Sequence, residues 1–399
     1  MPDATMLLEP VDPNERFRER RRQARRRRAV RRVGALAVVA LATAAVALGA
    51  SFLHGGKSGP GEKAGGASSE AKAAPRPQPR PLPAEIRGVH VTMALASLEG
   101  KLEQYLRLSD DGLTALELDV KDENGEVAFA RPRIPLAHAV GAARTYYDPR
   151  RAAREAHASG VYLIGRIVVF EDPHLAVGRP DLAIRRADGS VWTTSAGLGW
   201  VNPYDERVWK YNVDVATAAV DAGFDEIMFD YVRFPTDGDV AGAVFEHRRS
   251  EPRSVTISRF LQYARSRLEP KGARISAAVF GLSATRGMGI GQKPRRLAPY
   301  LDAIYPMVYP SHYGSGEYGL DDPSAVPGIT VARSLKDFHR ALTGSRTNLV
   351  PWLQDFTLGR TYTLEDVRAQ IQAARDWDSR GFLLWNAAGV YTPGALGGR

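Results

Sequence analysis

The chain of 399 residues contains no cysteine, which excludes disulfide bonds, thiolate catalysis and zinc sites with cysteine ligands. No G-x-G-x-x-G motif opens its first predicted helix, and no H-E-x-x-H pair occurs anywhere. We therefore expect no nucleotide crevice, no metal and no cofactor. The composition, 44% hydrophobic and 25% charged, is that of a globular protein and excludes a wholly disordered chain.

The excess of positive charge lies outside the main domain. The net charge is +9, but residues 1–84 hold 16 of the 54 basic residues and 7 of the 45 acidic ones. Residues 85–399 therefore carry 38 of each sign and are formally neutral. Because binding to phosphates needs a basic surface, we expect no nucleic acid as a partner.

The N-terminal part has the pattern of a membrane anchor. Residues 1–32 contain 11 arginines, and the 21 residues from 33 to 53 are apolar and uncharged, which is enough for a transmembrane helix. The arginines predict a cytoplasmic N-terminus and an extracytoplasmic domain. A signal peptide cleaved near Ala45, Ala47 or Ala50 is the alternative, giving a secreted protein. Residues 54–84 are rich in Gly, Ser and Pro and predict an unfolded linker.

From residue 85 onward, short β-branched runs alternate with amphipathic stretches. The alternation predicts strands near 86–92, 113–121, 161–170, 224–232, 274–280, 302–309, 348–354 and 381–386. It predicts helices at 97–108, 148–159, 206–222, 254–268, 293–300, 331–342 and 363–379. Eight such units indicate a (β/α)8 TIM barrel over 85–399, with the loop 171–205 after the third strand.

Period-2 alternation sorts the strand residues into a helix-facing side and a lumenal side. In the second strand it predicts Glu117, Asp119 and Lys121 inside, and in the fourth it predicts Asp230 near the top. A buried carboxylate is costly without a purpose, so Asp230 is the strongest candidate for a catalytic group. The same parity directs a further set toward one mouth: His90, Arg166, Tyr305, Tyr309 and Trp385.

A purely structural role remains an alternative for each of these residues. The aromatic residues suit either a core or a sugar-stacking surface, His90 suits a structural hydrogen bond, and Arg166 could simply neutralise buried carboxylates. In the seventh strand Gln354 and Asp355 lie on opposite faces, so only one of them need be lumenal.

Long segments of this domain resemble the DUF4015 family of glycoside hydrolases, which is assigned a TIM-barrel fold. They are LELDVKDENG from Leu116, GRIVVFEDP from Gly165, RPDLAI from Arg179, WVNPYDERVWKYN from Trp200, DEIMFDYVRFP from Asp225, YPMVYPSHYGSGEYG from Tyr305, PWLQDFT from Pro351 and FLLWNA from Phe382. The resemblance spans 86–391 and implies hydrolysis of O-glycosyl bonds. In the family's pattern an acid often stands where this chain has Ala278, which would impair catalysis here if that acid were essential.

Glycoside hydrolysis uses one protonated and one ionised carboxyl group. We expect Asp230 as nucleophile or base and Asp355 or Asp119 as its partner. Arg233 and Lys121 would keep a neighbouring carboxylate ionised, whereas Glu171 and Asp172 are expected in solvent. The expected substrate-binding residues are His90, Lys121, Arg166, Arg233, Tyr305, Tyr309, His312, Gln354, Trp385 and Asn386.

The sequence thus favours a membrane-anchored extracytoplasmic enzyme acting on a cell-envelope or extracellular polysaccharide. Two alternatives remain at this level. One is a noncatalytic carbohydrate-binding or scaffold barrel on the same anchor. The other is a metal-dependent hydrolase of another polymer, with His90, Asp119, Asp230 and His312 as the ligands.

Overall fold

The computed structural model describes residues 77–397. The predicted basic segment 1–32, the predicted transmembrane helix 33–53 and the linker residues 54–76 lie outside this range. Within residues 77–397, none of the helices combines the length and the apolar character needed to cross a bilayer.

The described residues form a closed barrel of parallel strands. The strands are β1 (Ile86–Val91), β2 (Ala115–Lys121), β3 (Tyr162–Val168), β4 (Glu226–Asp230), β5 (Arg274–Phe280), β6 (Ala303–Met307), β7 (Asn348–Leu349), β8 (Trp352–Gln354) and β9 (Gly381–Trp385). β1 to β6 pair in chain order, β6 pairs with both β7 and β8, β8 pairs with β9, and β9 pairs with β1, which closes the ring. The predicted barrel is therefore confirmed, with eight strand positions.

Helices surround the strands. They are α1 (Met93–Ala96), α2 (Lys101–Leu106), α3 (Pro135–Ala139), α4 (Pro149–Ala158), α5 (Pro173–Gly178), α6 (Glu206–Ala222), α7 (Arg253–Leu268), α8 (Pro294–Leu297), α9 (Pro327–Leu342) and α10 (Leu364–Asp376). The predicted helix 206–222 is confirmed at both ends. Asp205 caps its first turn and Gly223 ends it in a left-handed conformation, with φ of 112°.

Two predicted elements differ in the structure. The predicted helix 97–108 begins only at Lys101, as α2, because Gly100 before it has φ of 69°, in the left-handed region. The predicted strand 348–354 is divided into β7 and β8 around Val350 and Pro351. Pro351 has no N–H to donate to a neighbouring strand, so the ladder is interrupted there.

The predicted loop 171–205 packs as a layer of its own. It contains α5, and it buries Ile184, Trp192 and Trp200. The prediction that Glu171 and Asp172 lie in solvent is wrong, since both are fully buried. Glu171 accepts a hydrogen bond from the Trp200 indole at 3.2 Å, because a buried carboxylate requires such partners.

The segment that precedes β1 lies along the N-terminal end of the barrel. The Arg274 guanidinium donates to the carbonyl of Arg80, and Arg380 donates to the carbonyl of Pro83 at 3.1 Å. Both arginines stand at the start of a barrel strand. The chain therefore enters the barrel at the end opposite to the one where the strands finish.

Candidate active site

Arg166 of β3 is the centre of a buried charge cluster in the lumen. Its guanidinium group donates to Asp230 Oδ2 at 2.7 and 2.9 Å and to Asp119 Oδ1 at 2.8 Å. Glu123 and Glu117 place carboxylate oxygens 3.6 and 4.0 Å from the same group. The structure thus brings together the predicted residues Asp119, Arg166 and Asp230.

This cluster lies at the level where the strands end, which is where TIM barrels carry their active sites. Asp230 is the last residue of β4, and its Oδ1 accepts the backbone N–H of Tyr231 at 2.7 Å. Tyr231 has φ of 50°, in the left-handed region that a bulky aromatic residue rarely adopts. Such strain next to a buried carboxylate is typical of a functional site.

His90 of β1 joins the cluster from the other side. Its Nδ1 contacts Glu117 Oε2, and its Nε2 lies 3.9 Å from Asp119 Oδ1. Burial by itself lowers the pKa of His90, but the negative charges of Glu117 and Asp119 outweigh it, and the pKa is raised. The alternation of residues along β2 predicts that Glu117 lies inside the barrel but does not indicate a role for it. Its pairing with His90 is seen only in the folded structure.

An aromatic group lies beside the cluster. Tyr309 stacks on Trp385 with ring centroids 5.5 Å apart, and Phe356 packs edge-on against both rings. The His312 ring lies 5.4 Å from that of Tyr309. Flat rings of this kind suit the apolar face of a sugar. Burial and the charge of Asp230 raise the pKa of Tyr309, so its hydroxyl keeps its proton.

Three predicted site residues hold the neighbouring loops. Gln354 accepts from the backbone N–H of Ser311 at 3.0 Å and so fixes the turn that carries His312. Asn386 donates to the carbonyl of Asp355. Asp355 itself accepts from the backbone N–H of Thr392 at 2.8 Å and from its hydroxyl. Burial raises the pKa of Asp355, although the Thr392 bonds oppose it.

The prediction that Lys121 points into the lumen is wrong. The register between β2 and β3 shifts between Asp119 and Lys121, as at a bulge, where two successive side chains share one face. The Lys121 ammonium bonds to Asn212 of α6 at 2.8 Å and to Asp172 at 2.7 Å. Lys121 therefore anchors the long β3–α6 connection rather than the site.

Two other residues lie elsewhere than predicted. Tyr305 lies deeper than the mouth, since its hydroxyl is fully buried and its pKa is raised by burial and by Glu226, the first residue of β4. The guanidinium of Arg233 lies over the rings of Trp200, Tyr231 and Phe280 at 4.6 to 5.1 Å. Arg166 provides the charged contact to Asp230.

Sequence reasoning also missed Asp122, which directly follows β2. Burial and the charge of Glu123 raise its pKa to about 7, against a hydrogen bond from Asn124. Ala278 faces the lumen level with Tyr305, and its carbonyl accepts from Gln292 at 3.2 Å. Within residues 77–397, no group of three His, Asp or Glu side chains is arranged to hold a metal ion.

A match to a family model identifies the family of the chain. Residues 88–391 match the model described as "Putative glycosyl hydrolase domain". The chain belongs to the DUF4015 family. The resemblance read from the sequence motifs is confirmed, and membership makes the barrel a glycoside hydrolase domain. No curated protein matches the chain.

Solved structures with this fold include glycoside hydrolases. The PgaB (BpsB) glycoside hydrolase domain from Bordetella bronchiseptica is 15% identical, with a TM-score of 0.55 over 76% of this chain and 94% of that one. The α-galactosidase TtGalA from Thermus thermophilus, in complex with stachyose, is 14% identical, with a TM-score of 0.50 over 80% and 65%. At such identities the likeness concerns the fold alone.

A hypothetical protein from Ruminiclostridium thermocellum has higher identity over a shorter stretch. It is 31% identical, covers 47% of this chain and 96% of its own, and has a TM-score of 0.43.

Proposed function

We propose that this DUF4015 protein is a membrane-anchored, extracytoplasmic enzyme that hydrolyses a cell-envelope or extracellular polysaccharide with two carboxyl groups. The observation that carries the proposal is the buried carboxylate of Asp230, held by Arg166 at the mouth of the barrel, together with the buried carboxyl group of Asp355, which directly follows β8. The aromatic rings of Tyr309 and Trp385 beside this pair support a sugar as the ligand. The apolar, arginine-flanked segment 33–53 supports the anchor.

The environments of the carboxyl groups support different roles. Asp230 accepts two charge-assisted hydrogen bonds from Arg166, an arrangement that suits a nucleophile or a base that activates water. Burial raises the pKa of Asp355, which suits the acid that gives its proton to the leaving oxygen.

One observation favours the alternative of a noncatalytic carbohydrate-binding barrel. Arg166 occupies oxygens of both Asp119 and Asp230, so the cluster could serve only to hold the strands together. A glycan would then bind to the aromatic rings without being cut.

A comparison of three proteins tests the proposal. The full chain, Asp230→Asn and Asp214→Asn are incubated with a panel of envelope and secreted glycans, and released sugars are measured. Asp214 is an exposed residue of α6 that pairs with Lys210, so its variant is a matched control. We expect release by the first and third proteins and a loss of about 10²-fold or more in Asp230→Asn. Glycan binding without release by any of them would instead establish the noncatalytic barrel.

A further inference from the structure

His90 and Glu117 form a buried pair directly beneath the proposed catalytic cluster. They are neighbours in the register of β1 and β2, and His90 Nδ1 contacts Glu117 Oε2. Both side chains are almost entirely enclosed, with 4% and 0% of their surface exposed. A carboxylate enclosed to this degree is costly unless a cation or hydrogen-bond donors compensate it.

The surroundings of His90 favour its charged form. The titratable groups facing it are Glu117 and Asp119 of β2, Arg166 of β3, and Tyr391 behind β9, whose hydroxyl donates to the His90 carbonyl. The Trp352 ring of β8 lies 5.9 Å from the imidazole. Two carboxylates therefore act on one imidazole, with Arg166 as the opposing cation. The net result is a raised pKa of His90 despite the burial. Burial raises the pKa of Glu117 as well, but His90 and Arg166, which lies 4.0 Å from Glu117 Oε1, oppose that shift and favour the proton on His90.

The second nitrogen of the imidazole is directed at the cluster. Nε2 lies 3.9 Å from Asp119 Oδ1, the same oxygen that accepts from Arg166 Nη1 at 2.8 Å. Asp119 Oδ1 thus lies near both the imidazole of His90 and the guanidinium of Arg166, and Arg166 also bonds to Asp230. A change of charge on His90 would act first on Asp119 and would then change the position of Arg166.

We propose that Glu117 holds His90 as an imidazolium ion, and that this pair is a positioning device that keeps Arg166 extended between Asp119 and Asp230. Neither His90 nor Glu117 contacts the sugar in this arrangement. The inference rests on the proposed function for its consequence in catalysis, but the charge state of His90 is a property of the protein by itself.

The charge state is tested without substrate. The full chain labelled with ¹⁵N-histidine is titrated by NMR, and the His90 signals are assigned by their absence in His90→Gln. We expect imidazolium shifts at pH 7 and a midpoint at least one pH unit lower in Glu117→Gln, because that variant removes the paired charge. A neutral His90 ring at pH 7 in the unaltered protein would overturn the inference, whether or not any glycan is hydrolysed.

The catalytic consequence is tested by the pH dependence of kcat/KM. Loss of the imidazolium removes a positive charge beside Asp119. The carboxylates of the cluster should therefore take up protons at a higher pH than in the unaltered protein. In His90→Gln we expect the acidic limb of the profile to move upward by about one pH unit, with a rate about tenfold lower on that limb. His138→Gln is the matched control, since His138 bonds to a backbone carbonyl in α3 and lies outside the cluster.

A double variant separates charge from mere packing. Glu117→Gln with His90→Gln replaces the pair with two neutral side chains that can still hydrogen-bond to each other. We expect this variant to unfold at a temperature close to that of the single variants and to keep the displaced acidic limb. A double variant with the profile of the unaltered protein would show that the pair only fills space, and would refute the proposal while leaving the proposed function intact.

Discussion

At the scale of single residues, the cluster is organised by one buried cation. Arg166 neutralises carboxylates from β2 and β4 that would otherwise repel each other in a low-dielectric interior. Asp355, whose pKa is raised by burial, is held instead by Thr392. The proposed base and the proposed acid therefore have different partners.

Asp355 gives a prediction on pH dependence. As the acid, Asp355 must be protonated, so activity should fall as pH rises through its raised pKa. Asp355→Asn should lower kcat by about 10²- to 10⁴-fold on natural glycans, but much less on an aryl glycoside whose leaving group needs no proton. Equal losses on both substrates would contradict the role of an acid.

Thr392→Val provides the companion measurement. It removes the hydroxyl that donates to Asp355 Oδ1 and opposes the upward shift of the Asp355 pKa. We expect the alkaline limb of the profile to move to higher pH. An unchanged limb would assign that limb to another group.

The buried Lys121 gives a prediction on stability. Lys121→Met would leave Asp172 without its cation in a fully buried position, which should lower the free energy of unfolding by about 3 to 5 kcal/mol. Lys210→Met, which removes an exposed pair with Asp214, is the control and should change it by less than about 1 kcal/mol. Denaturant unfolding of both variants measures the difference. Equal effects would show that Lys121 is not a structural anchor.

At the scale of elements, β3 can approach its neighbours because it has a glycine on the helix side. A Cβ atom at Gly165 would lie 2.8 Å from the Phe224 ring and 3.0 Å from Val120. Gly165→Ala should therefore force the strand and the Phe224 ring apart and cost about 1 to 3 kcal/mol in thermal or denaturant unfolding. Gly287, which has open space around it, is the control, and Gly287→Ala should be close to neutral. A neutral Gly165→Ala would mean that the β3 surface is loosely packed.

At the scale of the whole molecule, the chain enters the barrel opposite to its proposed catalytic mouth. Arg274 and Arg380 hold residues 80 and 83 at the starting ends of the strands. Asp230 and Gln354 end their strands at the other side. Residues 80 and 83 therefore lie at the end of the barrel away from the mouth.

Cell fractionation tests the anchor itself. We expect the full chain to sediment with membranes, to resist extraction by high salt and to be released by detergent, because apolar insertion is insensitive to screening. Protease added to intact cells should digest the barrel, as expected for an extracytoplasmic domain. Release by salt alone would indicate that the arginines bind the surface without insertion, and a shortened secreted form would indicate signal cleavage.

The sequence was sufficient to predict the strands because each alternates or is continuously apolar between clear turn signals. The same parity correctly placed Asp119, Arg166 and Asp230 inside the barrel. It failed at Lys121, since a register shift moves one residue to the other face and leaves no mark in the pattern. It also failed at Glu171 and Asp172, whose burial depends on distant partners in β2 and in the loop carrying Trp200.

Local pattern and composition by themselves determined the barrel class, the neutral charge of the domain and the identity of the lumenal carboxylates, because these depend on spacing along one chain. The tertiary structure decided which charges meet. Pairing of His90 with Glu117, and of Arg166 with both Asp119 and Asp230, requires strands brought together by barrel closure. The electrostatic character of a carboxyl group is set by such neighbours rather than by its place in the sequence.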